Sequence, residues 1–268
     1  MSATQTVVLD DGAATTLETW GSGGPLIVCV HGITSSRRSW SRLTERLGRS
    51  YRVAAYDQRG HGDSARVLGP MTLAQSLADF RAVAQILGAA SIAVVGHSWG
   101  GAVALLSGQD PRVAAVVAID PMIRVEPGSW SADYLDDVVS DMALAPAERE
   151  RVLRARHADW HPSDIEGKLH AVTAMTAEPV ARLGSENSVE EGGWDLRPVL
   201  EGYGKPLLIC AAGPADSVIA DKDLAFARSH GGDRVTVRDF PREGHNLHRT
   251  AFDEFASVAE AFLQATLI

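Results

Sequence analysis

Residues 91–108 read SIAVVGHSWGGAVALLSG. The apolar run Ser91–Val95 is a strand signal, and the small-residue run that begins at Trp99 is a helix signal. Between them, Gly96-His97-Ser98-Trp99-Gly100 fits G-x-S-x-G and is followed at once by Gly101. A sharp strand-to-helix turn of this kind holds a serine at a strained backbone position and lifts its hydroxyl above a sheet. The flanking glycines let strand and helix pack closely. The string alone is weak evidence, but here the strand before it and the helix after it are the required context.

On either side of this turn, short β-branched runs recur, bounded by Gly, Asp or Pro. They are 6–9, 15–20, 25–30, 51–56, 91–95, 113–119, 206–211 and 234–240. Several are continuously apolar (PLIVCV, VAAVVAI, PLLIC), as expected of strands covered on both faces of a parallel sheet. The last run alternates Val235 and Val237 with polar residues, which suits an edge. Helical spacing appears in 72–87, where Thr72 and Gln75 have the form of a capping box, and again in 252–263. Strands alternating with helices predict an α/β sheet flanked by helices.

The alternation stops after Asp120 and resumes at Pro206. The intervening 121–204 is strand-poor, carries most of the negative charge and reads as several short helices. Pro146 and Pro162 look like first-turn prolines, and Gly184 and Gly192–Gly193 like breaks. The expected organisation is one core domain (1–120 and 205–268) with a helical cap inserted at 121–204.

The chain has 268 residues, 45% hydrophobic and 22% charged, with a formal net charge of −9. That composition excludes collagen-like, coiled-coil and disordered classes. Net negative charge without a basic patch argues against nucleic-acid binding. No apolar run approaches the roughly 20 residues needed to span a bilayer, so no membrane association is expected. Cys29 and Cys210 both sit in apolar runs and read as core residues. The opening MSATQTVVLDDG lacks a basic stretch followed by an apolar one. The expectation is a reduced, cytoplasmic protein.

A serine hydroxyl needs a base and a group that orients the base. Of nine histidines, His245 is the expected base, on the Gly-bearing loop PREGHNLHRTAF before the last helix. His248 is its rival, and His31, His61 and His97 read as loop-fixing groups. Asp216, in the loop after PLLIC, is the expected orienting acid, because α/β sheets gather catalytic groups at the C-terminal ends of their strands. Asp120 in VVAIDP is the competitor, with an Asx-turn as its bland alternative. Backbone N–H groups of Ile33 and Trp99 are the candidate oxyanion donors. Substrate contacts are expected from Ile33, Trp99, Trp130, Tyr134, Met142, Trp160, Met175 and Val218, large or apolar groups suited to a neutral substrate. His157 and His161 are four apart with no third ligand evident, so no metal is assigned.

HGITSS (31–36), YDQRGHGDS (56–64), GHSWGG (96–101), the Asp216 loop and GHNLH (244–248) together resemble the α/β-hydrolase family. The resemblance implies an α/β-hydrolase fold: an eight-stranded, mostly parallel sheet, a helical cap after strand six, and no cofactor. It also implies a Ser-His-Asp hydrolase acting on a small-molecule ester or lactone, with Asp57–Gly62 as a structural turn. Serine at position 98 disfavours dehalogenase and epoxide-hydrolase chemistry, which use a carboxylate nucleophile. A proline-iminopeptidase-like aminopeptidase, a cofactor-free haloperoxidase, a C–C hydrolase and a non-hydrolytic receptor remain as alternatives.

Overall fold

A computed structural model describes residues 2–64, 69–130, 132–187 and 193–267; the side chains of 132–134 and 137 lie outside that description. Among the described residues there are ten strands: β1 Ser2–Val8, β2 Ala14–Trp20, β3 Leu26–Val30, β4 Arg52–Tyr56, β5 Ile92–His97, β6 Val113–Ile119, β7 Arg124–Val125, β8 Trp194–Asp195, β9 Leu207–Ala212 and β10 Val235–Phe240. Eight form one sheet in the order β1-β2-β4-β3-β5-β6-β9-β10. Within that sheet only the pairings of β2 with β1 and β4 are antiparallel, and β7 and β8 form a separate antiparallel pair. This is the α/β-hydrolase fold that the motifs imply.

Helices α1 Ser41–Leu47, α2 Leu73–Leu87 and α3 Trp99–Ser107 belong to the first half of the sheet. Between β6 and β9 lie α4 Ala132–Ala143, α5 Pro146–Arg156, α6 Pro162–Ala174, α7 Glu178–Asn187 and α8 Arg197–Leu200. The chain ends with α9 Asp221–His230, α10 Leu247–Thr250 and α11 Phe252–Leu267. Among the described residues no helix is long and apolar enough to cross a membrane.

The continuously apolar strands are explained by two cores. Leu26, Val28 and Val30 of β3 face one, while Ile27 and Cys29 face the other; β5 and β6 divide in the same way. Burying apolar side chains on both faces removes them from water at about 25 cal/mol per Å². Edge strand β10 keeps half-exposed Val235 and Val237, as its alternation predicts. β1 starts four residues before its apolar signal, because exposed Ser2–Gln5 continue the antiparallel pairing with β2 without burying a side chain.

Helix α2 starts where the capping pattern places it. Thr72 Oγ1 accepts the Gln75 N–H at 3.1 Å, but the Gln75 side chain turns to Asp79 rather than back to Thr72. Thr72→Ala is expected to lower stability by about 1 kcal/mol, read as a lower urea midpoint. Gly184, expected as a break, instead lies inside α7, where a side chain would overlap Leu135 of α4. Its role is close helix packing.

Register sets up the site. Val30 pairs with Gly96, His97 with Ile119, and Ile119 with Cys210, so β3, β5, β6 and β9 end side by side. The residues that follow, from His31, Ser98, Asp120 and Gly213 onward, therefore share one rim of the sheet. That rim is where ligands bind in α/β proteins.

Candidate active site

Ser98 sits between β5 and α3 with φ 57° and ψ −117°, a sparsely populated conformation for a residue with a side chain. Its neighbours make the turn possible. A Cβ on Gly96 would overlap the Gly100 carbonyl and lie 2.8 Å from Ala104 Cβ. A Cβ on Gly100 would overlap the Val30 carbonyl, and one on Gly101 would lie 2.8 Å from Pro121 Cβ. The glycines are there because backbone occupies the space of a side chain.

The loop after β3 closes over this turn. A Cβ on Gly32 would lie 3.0 Å from Ser98 Cβ, so the His-Gly turn runs against the serine. His31 fixes it. Gln58 N–H donates to His31 Nε2 at 2.9 Å, which makes Nδ1 the protonated nitrogen, and Nδ1–H donates to the Gly32 carbonyl at 2.8 Å. Burial pushes the His31 pKa down to about 4, so it stays neutral. His61 is likewise buried, pushed down to about 3, and bonds the Arg59 carbonyl at 2.8 Å.

His245 comes to the same rim on the loop between β10 and α10. Its Nδ1 lies 2.7 Å from Asp120 Oδ2, and an Nδ1–H donated there leaves Nε2 as the basic nitrogen. Asp120 is fully buried and directly follows β6, with φ 39°. Three further donors converge on its carboxylate: Ala212 N–H at 3.1 Å, Ser217 Oγ at 2.7 Å and Val218 N–H at 3.0 Å. A buried charge that accepts four hydrogen bonds is compensated.

This overturns the expectation that Asp216 orients the base. Asp216 is exposed, and its Oδ2 accepts the backbone N–H of His245 at 3.0 Å instead of meeting the imidazole. A side chain on Gly244 would collide with that carboxylate, so glycine admits it. The β9–α9 loop does serve the site, but through Ser217 and Val218, which hold the carboxylate of Asp120.

The other imidazoles support the loop. His97 Nε2–H donates to the His245 carbonyl at 2.9 Å, and the His97 ring lies 4.5 Å from that of His245 and 4.3 Å from that of His248. Burial, then the neighbouring imidazoles, hold the His97 pKa well below the usual histidine value. Burial and the Arg249 guanidinium do the same for His248. His248 lies in α10 with its ring against those of His97 and Trp40.

Ser98 and His245 line one cavity of about 170 Å³ with Ile33, Thr34, Met122, Trp130, Leu135, Val138, Val180, Leu183 and Val218. Of the expected substrate contacts, the structure brings Ile33, Trp130 and Val218 to this cavity; the Tyr134 side chain lies outside the described residues. Trp99, Met142, Trp160 and Met175 do not line it. Trp99 is buried, with Nε1–H donating to Ser76 Oγ at 3.1 Å, and its ring forms a triangle with Trp130 (6.2 Å) and Trp194 (5.4 Å). Trp160 stacks on His157, with ring centroids 3.8 Å apart, and the Arg249 guanidinium lies 4.3 Å from its ring. Met175 is buried at the end of α6, and Met142 lies in the last turn of α4 beside Arg149, which donates to its carbonyl. These groups pack the insertion onto the core.

The sequence reading missed Leu135 with Val138 and Val180 with Leu183. Each pair is spaced three apart on one helix, α4 or α7, and that apolar spacing was the available signal. Ile33 N–H and Trp99 N–H, the candidate oxyanion donors, are taken up by no acceptor among the described residues. Trp99 opens α3, where first-turn donors are free.

Comparison with known proteins bears on what the site does. The model of the alpha/beta hydrolase family matches residues 27–258. A lipase, LipV, from Mycobacterium tuberculosis is 33% identical over 173 residues, 63% of this chain and 64% of the lipase. The chain thus matches under two thirds of that relative's length. A magnesium-chelatase 30 kDa subunit from Rhodobacter capsulatus is 33% identical over 262 residues, covering 92% of this chain and 90% of the subunit. Among solved structures, an N-formylmaleamic acid deformylase from Pseudomonas putida S16 superposes with a TM-score of 0.78 at 19% identity, covering 96% of this chain and 100% of that one. That last likeness speaks to fold.

Proposed function

This chain belongs to the alpha/beta hydrolase family, and from that premise we propose that it is a serine hydrolase cleaving a carboxylic ester or lactone of a small, mostly apolar substrate. The observation that carries the reading is the His245 Nδ1–Asp120 Oδ2 contact of 2.7 Å, beside a mostly apolar cavity that Ser98 and His245 both line.

In this scheme Ser98 Oγ adds to the substrate carbonyl carbon while His245 Nε2 takes the hydroxyl proton. The Asp120 carboxylate stabilises the imidazolium, and the Ile33 and Trp99 N–H groups receive the oxyanion. Collapse breaks the C–O bond, and His245 returns its proton to the departing alkoxide. Water, deprotonated by His245, then adds to the acyl-Ser98 ester; collapse breaks the acyl C–Oγ bond, His245 returns the proton to Ser98 Oγ, and the acid leaves. With a lactone the departing alkoxide stays tethered to the acyl group.

A second reading, non-hydrolytic binding of a small molecule in the same cavity, draws on the relative named as a chelatase subunit. Reaction with a fluorophosphonate separates the two. The ester or lactone reading requires a stoichiometric adduct on Ser98, absent in Ser98→Ala, and multiple turnovers on p-nitrophenyl esters or lactones; turnover of proline anilides in their place would indicate an aminopeptidase. The 170 Å³ cavity favours short acyl chains. An unlabelled Ser98, or Ser98→Ala turning over at the wild-type rate, ends the proposal.

A further inference from the structure

Helix α6 is seated directly on the segment that leads away from the Ile33 N–H. A Cβ on Gly167 would lie 3.1 Å from the Arg38 carbonyl, so α6 touches the turn at Arg37–Trp40 with backbone alone between them. One residue on, Lys168 Nζ donates to both the carbonyl (3.1 Å) and the hydroxyl (2.9 Å) of Thr34. His170 Nε2 lies 3.0 Å from Asp63 Oδ1, completing the seam.

Thr34 is the residue after Ile33, lines the catalytic cavity, and holds φ 55°. A β-branched residue resists that left-handed conformation. On its other side the loop is anchored by His31 through the Gly32 carbonyl. The Ile33 N–H therefore lies between two anchors, one in the core and one reaching in from the insertion.

We propose that Lys168 is a positioning residue for this reaction, clamping Thr34 so that the Ile33 N–H points at the developing oxyanion. The inference rests on the serine-hydrolase reading above. It makes the insertion part of the catalytic apparatus as well as a wall of the cavity.

Lys168 is near enough to feel the charges of Arg249 of α10, Asp141 of α4 and Arg156 of α5, and is itself felt by His157 at the end of α5 and His61 of the core turn. Burial, with Arg249 adding to it, brings its pKa down to about 8. The ammonium that makes the clamp charge-assisted is thus present below pH 8 and lost above it.

The test is steady-state hydrolysis of p-nitrophenyl butyrate between pH 6 and 10 by wild type, Lys168→Met, Lys168→Arg and Ser98→Ala, each checked for folding by thermal melting. Lys168→Met should lose 10- to 100-fold in kcat with KM within threefold, and should lack the alkaline fall near pH 8. Lys168→Arg should restore most of kcat and remove that fall, because a guanidinium stays charged. Adding Thr34→Gly to Lys168→Met should recover part of kcat, since glycine adopts positive φ without strain. If Lys168→Met does not purify folded, Thr34→Val, which removes only the hydroxyl acceptor, should lower kcat two- to tenfold. A folded Lys168→Met, or failing that Thr34→Val, with wild-type kcat and pH profile overturns the proposal while Ser98→Ala stays inactive. Activity in Ser98→Ala would instead overturn the serine-hydrolase reading.

Discussion

Asp120→Asn is expected to lose about 10⁴-fold in kcat, as when the orienting acid of a comparable triad is made neutral. Asparagine keeps the shape but presents an amide to His245, so Nδ1 no longer meets a pure acceptor and the imidazolium loses its counter-charge. It also turns donor against donor, because Ala212 N–H, Ser217 Oγ and Val218 N–H all point at the two carboxylate oxygens. Asp216→Asn is expected to stay within about tenfold of wild type, since an amide oxygen still accepts the His245 N–H. Kinetics of both variants on one p-nitrophenyl ester, with melting curves, decide the matter. A large loss in Asp216→Asn with little in Asp120→Asn would return the orienting role to Asp216.

The second large effect concerns folding. Gly96→Ala drives a methyl group into the Gly100 carbonyl and against Ala104 Cβ, and Gly100→Ala drives one into the Val30 carbonyl and to 2.5 Å from the His31 carbonyl. Neither obstacle is a flexible side-chain end; both are backbone carbonyls, one in the first turn of α3 and one at the end of β3. Relief requires moving α3 off β3 and β5, at a cost of at least ~4 kcal/mol, a large part of the ~5–15 kcal/mol that holds a domain together. Both variants should appear in the insoluble fraction or melt far below wild type. Gly88→Ala is the control: it also changes a glycine, at φ 66° after α2, but with open space around it. Its penalty should be about 1 kcal/mol. Soluble Gly96→Ala with a wild-type urea midpoint would mean that the close approach is not a real constraint.

These two cases show what a one-dimensional reading reaches. The Ser98 turn was legible because all its parts are consecutive: strand, glycines, serine, small-residue helix. His245 was legible because a Gly-bearing loop between the last strand and last helix has few other histidines to offer. Asp120 and Asp216 both follow strands that end at the same rim, and sequence does not say which carboxylate turns inward. The decision is made by groups far apart in the chain: Ala212, Ser217 and Val218 converge on Asp120, while Gly244 lets Asp216 reach a backbone N–H. Likewise, Trp160 and Met175 looked like cavity walls because size and apolarity are visible in sequence, whereas the direction of α6 is not. That helix packs on the turn at Arg37–Trp40 and leaves the cavity to α4 and α7.

The triangle of Trp99, Trp130 and Trp194 has an optical consequence. Trp130 and Trp194 stand nearly perpendicular with centroids 6.0 Å apart, and both lie within 6.2 Å of Trp99. Indoles this near share their excited states, and one of the three forms part of the cavity wall. A molecule entering the cavity therefore perturbs a coupled chromophore, and occupancy registers in the protein's own ultraviolet emission without a dye.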